Sequence, residues 1–286
     1  MTIILLFLSV LPVYLLGNYI NKNDFDKEPK KLLFKLFILG FASALLTIVI
    51  SDILHSIFPL LASKPDVLDP IKLIPYTFLG IALVEELSKW IFVYGYTYKR
   101  SEFNHAYDAI VYAVFVSLGF ACIENILYIF STLDLQTAIT RGLLAVPGHT
   151  CDGILMGYFL ALAKISEKNN NIKLARKNKI LSIIVPMLAH GLYDYLLYAS
   201  PYISAFSYVF FVFVFYLFSK GLEIVGRMKK LNINLSPTAF ANNAIYMKSE
   251  NRLIKEANTY KSHYCLVCGK KIINDFCEHC GKSCEQ

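Results

Sequence analysis

The sequence predicts an all-α polytopic membrane bundle of about seven transmembrane helices, with a small metal-binding module at its C-terminal end. Three observations carry this. The 286 residues are 56% hydrophobic and only 17% charged, with a mean hydropathy of +0.50; soluble chains carry roughly a quarter charged residues. The missing charge is missing in blocks, so that long apolar stretches alternate with short Lys-, Asn- and Asp-rich connectors. Five of the seven cysteines fall after residue 260, which marks a separate module rather than a disulfide framework.

A hydrocarbon core of about 30 Å needs roughly 20 apolar residues at a rise of about 1.5 Å each. The candidate spans are Thr2–Ile20, Leu33–Phe58, Ile74–Tyr98, Ala109–Thr132, Gly142–Ala163, Ile180–Ala199 and Pro201–Ile224. The first charged residue is Lys22, with no basic segment or small-residue cleavage site before it, so Met1–Ile20 reads as a retained span. Pro75, Pro147, Pro186 and Pro201 are expected near helix starts, where a missing N–H matters least.

The connectors set the expected orientation. Lys22, Lys27, Lys30 and Lys31 lie in the first, Lys99 and Arg100 in the third, and six basic residues between Lys164 and Lys179 in the fifth. The intervening connectors hold Lys64 and Lys72, then Arg141 alone, then none. Basic loops stay on the cytoplasmic side. A multi-pass protein of the cell membrane is therefore expected, with its N-terminus outside and its C-terminus in the cytoplasm. The net charge of +7 follows the same loops and the tail, so it points to the bilayer and not to nucleic acid.

Several charges lie where a membrane should not hold them. An ionisable group at a helix centre costs about 2.5–3.5 kcal/mol on insertion. The third span carries Glu85, Glu86 and Lys89, the fourth Glu124, the fifth His149 and Asp152, and the sixth His190 and Asp194. Glu85 and Lys89, like His190 and Asp194, are four residues apart; Glu86 and Lys89, like His149 and Asp152, are three apart. Each pair therefore shares a helix face. Glu85 is about 16 Å into its span and His149 about 12 Å from its outer end, so one shared site is geometrically open to them. Buried pairs of this kind can serve only to hold helices together; four helices with acids and imidazoles at compatible depths point to a working site. Asp52 and His55, near the outer end of the second span, are assigned a solvent-reaching role.

These residues also carry a resemblance. Glu85–Lys89, "EELSK", is similar to the E-E-x-x-K motif of the PrsW family, part of the wider group of intramembrane endopeptidases that includes the type II CAAX prenyl proteases. "FACIEN" at 120–125 resembles its F-x-x-x-E-N motif, "HTCDGILMGY" at 149–158 its histidine-led motif, "HGLYD" at 190–194 its H-x-x-x-D, and "DKEP" at 26–29 its acidic connector. The resemblance covers roughly residues 1–226. It implies hydrolysis of a peptide bond in a membrane-associated substrate, such as an anti-sigma factor cut at its extracytoplasmic side. It makes Glu85, Glu86, Glu124, His149 and His190 the catalytic candidates, supported by Lys89, Asn125 and Asp194. Thr150, Cys151 and Asp152 depart from its pattern, so it gives Asp152 no role.

Peptide hydrolysis needs an activated water, a general base and stabilisation of the oxyanion. Glu85 or Glu86 suits the base; the histidines suit oxyanion donors or, with the carboxylates, ligands of a catalytic Zn²⁺. No H-E-x-x-H is present, so the usual zincin helix is absent and metal and metal-free mechanisms both stay open. The alternative to a protease is a non-catalytic immunity or scaffold protein using the same fold. A transporter is disfavoured by the lack of internal repeats.

The chain divides at this level into a membrane domain at 1–226, a polar linker at 227–262 and a module at 263–286. In the module, Cys265 and Cys268 form one C-x-x-C, and Cys277 and Cys280 a second, with eight residues between them and Gly269 and Gly281 after each pair. Two such knuckles build a tetrahedral Cys₄ site, so a structural Zn²⁺ in a zinc ribbon is expected. A reducing cytoplasm disfavours disulfides there. A module this small needs its metal to fold, and its expected role is contact with a cytoplasmic partner.

Overall fold

The computed structural model describes residues 2–62, 70–231 and 233–235; the cysteine-rich tail lies outside them. The described residues form one compact helical unit ending at Leu235. Its helices are α1 (Thr2–Asn23), α2 (Lys30–Ile57), α3 (Pro59–Ala62), α4 (Pro70–Pro75), α5 (Leu83–Thr97), α6 (Asp108–Thr132), α7 (Leu135–Thr140), α8 (Val146–Lys168), α9 (Ile172–Ala199) and α10 (Ser204–Leu231). π-Helical turns, Tyr76–Ala82 and Arg141–Ala145, lead into α5 and α8. The described residues contain no named strand; His105 and Asn234 make an isolated antiparallel bridge.

Among the described residues, five helices are each long and apolar enough to cross a membrane: α1, α2, α6, α9 and α10. The stretches expected as third and fifth spans are continuous helical rods of a different kind, each an α-helix entered through a π-helical segment. In α6 the most apolar stretch is 72% buried, against 22–33% in the other four. α6 is therefore the central post, packed against α1, α2 and α8, with α8 in turn against α9. Large apolar side chains on α2 and α10, among them Phe34, Leu45, Tyr208, Val212 and Phe215, face outward. This is the inverse of a soluble bundle and is the surface a bilayer solvates.

Between helices in lipid, contact comes from close packing and polar groups rather than from hydrophobic exclusion. The buried polar contacts join distant segments: the Tyr107 hydroxyl donates to the Ile20 carbonyl, Tyr112 to Glu28 and Trp90 Nε1 to Ser182. The "DKEP" connector is thereby folded in. Glu28 and Asp24 are buried, and burial pushes their carboxyls up to about 7 and about 6. Residues 233–235 return to this side, with Ala106 N donating to Ile233 O and Leu235 N to Asn104 O.

Several boundaries differ from expectation. α9 starts at Ile172, where the Asn171 side chain accepts from Leu174 N, so Pro186 lies inside the helix and not at its start. The basic stretch before Ile180 continues the helix beyond the apolar segment, because a cap and good helix formers do not need hydrocarbon around them. Likewise α10 runs to Leu231, well past Ile224.

Candidate active site

The four expected helices bring their polar residues to one place. The first turn of α5 presents Glu85 and Glu86, and Lys89 follows one turn on. Lys89 Nζ lies 2.7 Å from Glu86 Oε1, 3.5 Å from Glu85 Oε2 and 3.2 Å from His149 Nδ1, and 4.1 Å above the Phe120 ring. An ammonium has only donors, so His149 Nδ1 accepts and its ring proton sits on Nε2. From there it donates to Glu124 Oε2 at 2.9 Å. His190, on α9, places Nδ1 2.8 Å from Glu86 Oε1, and Nε2 3.5 Å from Asp194 Oδ2 and 3.9 Å from Glu85 Oε2. The two imidazoles meet edge to face, with centroids 5.4 Å apart.

These groups are dry. Glu86 and Lys89 are fully buried, and His149, His190 and Asp152 nearly so, while the Glu85 side chain keeps 12% exposure. Glu85, Glu124, His149, Asp152 and His190 line a cavity of about 280 Å³, and Glu86 and Lys89 stand behind that wall. Tyr76, Tyr128, Arg141 and Tyr193 complete much of the rim.

Three residues take places that the motifs do not announce. Arg141, the lone charge of its connector, bridges Glu124 at 2.7 Å, donates from Nε to Asn125 Oδ1 at 2.8 Å and stacks on Tyr128. A single basic residue beside an apolar run was the signal for it. Asp152 comes within 3.8 Å of His190 Nδ1 and keeps a buried oxygen with no protein partner among the described residues. Asn125 is turned away from the cavity: its Nδ2 donates to Ser9 O, tying α6 to α1 and its own neighbour Glu124 to Arg141. Asp52 and His55 are exposed and stand apart from the cavity wall.

One oxygen or nitrogen from each of Glu85, Glu86, His149 and His190 lies within 4.8 Å of the others. Two carboxylates and two imidazoles are a zinc-type donor set. The second carboxylate oxygen of Glu86 is buried without a partner among the described residues, as a ligand atom would be. The donor set thus fits a metal, with Lys89 Nζ standing within reach of three of the four donors.

Comparison with known proteins agrees with the geometry. The model of the PrsW family intramembrane metalloproteases matches residues 28–219. The chain is 36% identical over 226 residues to the Protease PrsW of Oceanobacillus iheyensis, covering 79% of this chain and 95% of that one. It is 36% identical over 187 residues to that of Geobacillus kaustophilus, covering 65% of this chain and 76% of the relative. With that of Bacillus subtilis it shares 31% over 221 residues, 77% of this chain and 93% of the relative. No solved structure matches the chain at a significant level. The tail beyond 219 lies outside the family match. With its apolar helices long enough to cross a membrane and its acid–histidine site, this chain belongs to the PrsW family of intramembrane metalloproteases.

Proposed function

We propose that the chain is an endopeptidase that cuts a membrane-anchored protein, an anti-sigma factor being the class its motifs imply, at the extracytoplasmic side. The observation that carries this is the convergence of Glu85, Glu86, His149 and His190 within 4.8 Å of one another, with Glu85, His149 and His190 on the wall of one cavity. Seven crossings complete the bundle in this reading, with the α5 and α8 rods as the third and fifth and the basic connectors in the cytoplasm.

The two adjacent glutamates divide the work. Glu86 Oε1 is held by both Lys89 and His190, so Glu86 orients those groups. Glu85 is more loosely held and faces the cavity, so it is the base. Its carboxylate takes a proton from a water as the water oxygen adds to the scissile carbonyl carbon. His190 and Arg141, both on the cavity wall, offer N–H donors to the oxyanion that forms. The tetrahedral species collapses as the C–N bond breaks, and Glu85 returns its proton to the departing amine. Glu124 keeps the His149 ring in one tautomer. A Zn²⁺ would be held by Glu85, Glu86, His149 and His190, and would supply a more acidic water and a polarised carbonyl.

Glu85→Gln keeps size and hydrogen bonding but removes the base. Cleavage of a single-span reporter in membranes is expected to fall by about 10²–10⁴-fold, and His190→Ala to fall comparably, at unchanged expression. Full cleavage by Glu85→Gln would remove Glu85 from this role.

For the tail we propose a structural zinc ribbon held by Cys265, Cys268, Cys277 and Cys280, serving a cytoplasmic partner. Cys265→Ser with Cys268→Ser in the full chain is expected to lower bound zinc by about one ion per chain, measured by elemental analysis. Equal zinc in both proteins would reject the ribbon.

A further inference from the structure

Away from the catalytic cavity, α1, α2 and α6 leave a groove of about 420 Å³ between them. Its walls are apolar along most of its length: Val10, Val13 and Tyr14 on α1, Phe34 and Phe37 on α2, and Phe115 on α6. Gly17 lies along it, and a side chain at that position would come against Leu118, so the missing side chain helps keep it open. Polar groups gather at one end only, where Asn18, Asn21 and Lys30 close it beside the connector that joins α1 to α2. Lys22, Lys27 and Lys31 stand exposed around that end.

The dimensions identify the kind of occupant. Val10 to Asn21 spans eleven residue steps of α1, or about 16 Å at about 1.5 Å per step. One leaflet of a bilayer core of about 30 Å is about 15 Å deep. The groove therefore runs from the membrane surface to the midplane, apolar where acyl chains are and basic where phosphates are. A substrate helix is a poor fit, because the groove shares no lining residue with the catalytic cavity.

We propose that this groove is a binding site for an anionic phospholipid of the leaflet on the basic face. One acyl chain lies between α1, α2 and α6; the phosphate sits at Lys30, and headgroup hydroxyls reach the amides of Asn18 and Asn21. The exposed lysines around the connector supply the charge complementarity, and the lipid fills a gap that the protein's own side chains leave. The site is independent of the proteolytic reading. It gives the central helix α6 a wedge between α1 and α2.

The test is lipid retention by the full chain in a mild detergent, read by native mass spectrometry with added phosphatidylglycerol or phosphatidylcholine. Wild type is expected to retain one phosphatidylglycerol in preference to phosphatidylcholine. Lys30→Gln, at an exposed position that tolerates the change, is expected to cut that preference about fivefold, the worth of one basic residue at an anionic surface. Val10→Phe, which fills the groove, is expected to lower retention of both lipids. Equal retention of the two lipids by wild type would overturn the proposal. So would a Val10→Phe protein that holds phosphatidylglycerol as wild type does, or a groove closed by a second copy of the chain in a stable dimer.

Discussion

Replacing Lys89 with methionine is expected to abolish proteolysis, lower stability and tighten zinc binding. The first two follow from burial. Lys89 is fully buried 2.7 Å from Glu86, which is fully buried too. Removing one partner of such a pair leaves an uncompensated charge and costs about 3–5 kcal/mol, read as a lower melting temperature in detergent. Methionine reaches as far as the lysine Cε, so the loss is mostly of charge and little of volume. Without Lys89, Glu86 Oε1 keeps only His190 of its two partners, so both side chains are less firmly placed, and a small misplacement of a catalytic group costs about 10²-fold in rate.

The third effect separates roles that activity alone would merge. Lys89 Nζ reaches Glu85, Glu86 and His149, three of the four donors that would hold a metal. An ammonium there is a cation beside the place a metal ion would take, so it opposes metal binding electrostatically. A unit charge about 4 Å away weighs about 4 kcal/mol at an effective dielectric of about 20. Lys89→Met is therefore expected to bind Zn²⁺ at least about tenfold more tightly than wild type, while Lys89→Arg, which keeps the charge, is not. Equilibrium dialysis with Zn²⁺ alone decides it, without reference to cleavage. Equal or weaker zinc binding by Lys89→Met would show that Lys89 supports the metal position rather than opposing it.

The candidate site divides into what one helix can reveal and what only several can. The 3.6-residue period places Glu85, Glu86 and Lys89 on one side of α5, and their contacts are within one turn of each other. The links from Glu86 to His190 and from Lys89 to His149 span 104 and 60 residues of sequence. They depend on how α5, α8 and α9 are rotated against one another, and no local pattern sets that rotation. The π-helical turns 76–82 and 141–145 add to this, since they change the residues per turn just before Glu85 and His149. A regular α-helix drawn from Ile74 would misplace Tyr76 relative to Glu85, yet both line the cavity. Arg141 shows the same limit from another side. Counted as a loop charge it reports topology, but its chemistry is visible only once α7 carries it back over Glu124. Asn125, although within a motif, works as a brace to α1, a role that its place in "FACIEN" does not announce.

Substituting Gly119 is expected to be as damaging as a change in the site itself. α2 crosses α6 so closely that a Cβ on Gly119 would collide with the Phe37 carbonyl, and one on Gly40 with the carbonyl of Val116. Both obstacles are backbone, so no side chain can swing aside. Small residues at helix crossings allow this approach in membranes, where close packing supplies much of the attraction. Overpacking costs about 1–3 kcal/mol in ordinary cores, and a collision with a helix backbone lies at or above the top of that range. The next residue, Phe120, lies against Lys89 and His149, and Glu124 is little more than one turn on. Forcing α6 off α2 therefore shifts the wall of the catalytic cavity. Gly119→Val is expected to fail to assemble, and Gly119→Ala to melt several degrees lower and cleave the reporter at least about tenfold more slowly, since positional errors near 1 Å cost up to about 10²-fold. The control is Gly95→Ala, where a Cβ meets nothing within 4 Å and alanine gains up to about 1 kcal/mol of helix propensity. If Gly119→Ala melts and cleaves like Gly95→Ala, α2 and α6 do not pack at this crossing, and the placement of Glu124 beside His149 must rest on other contacts.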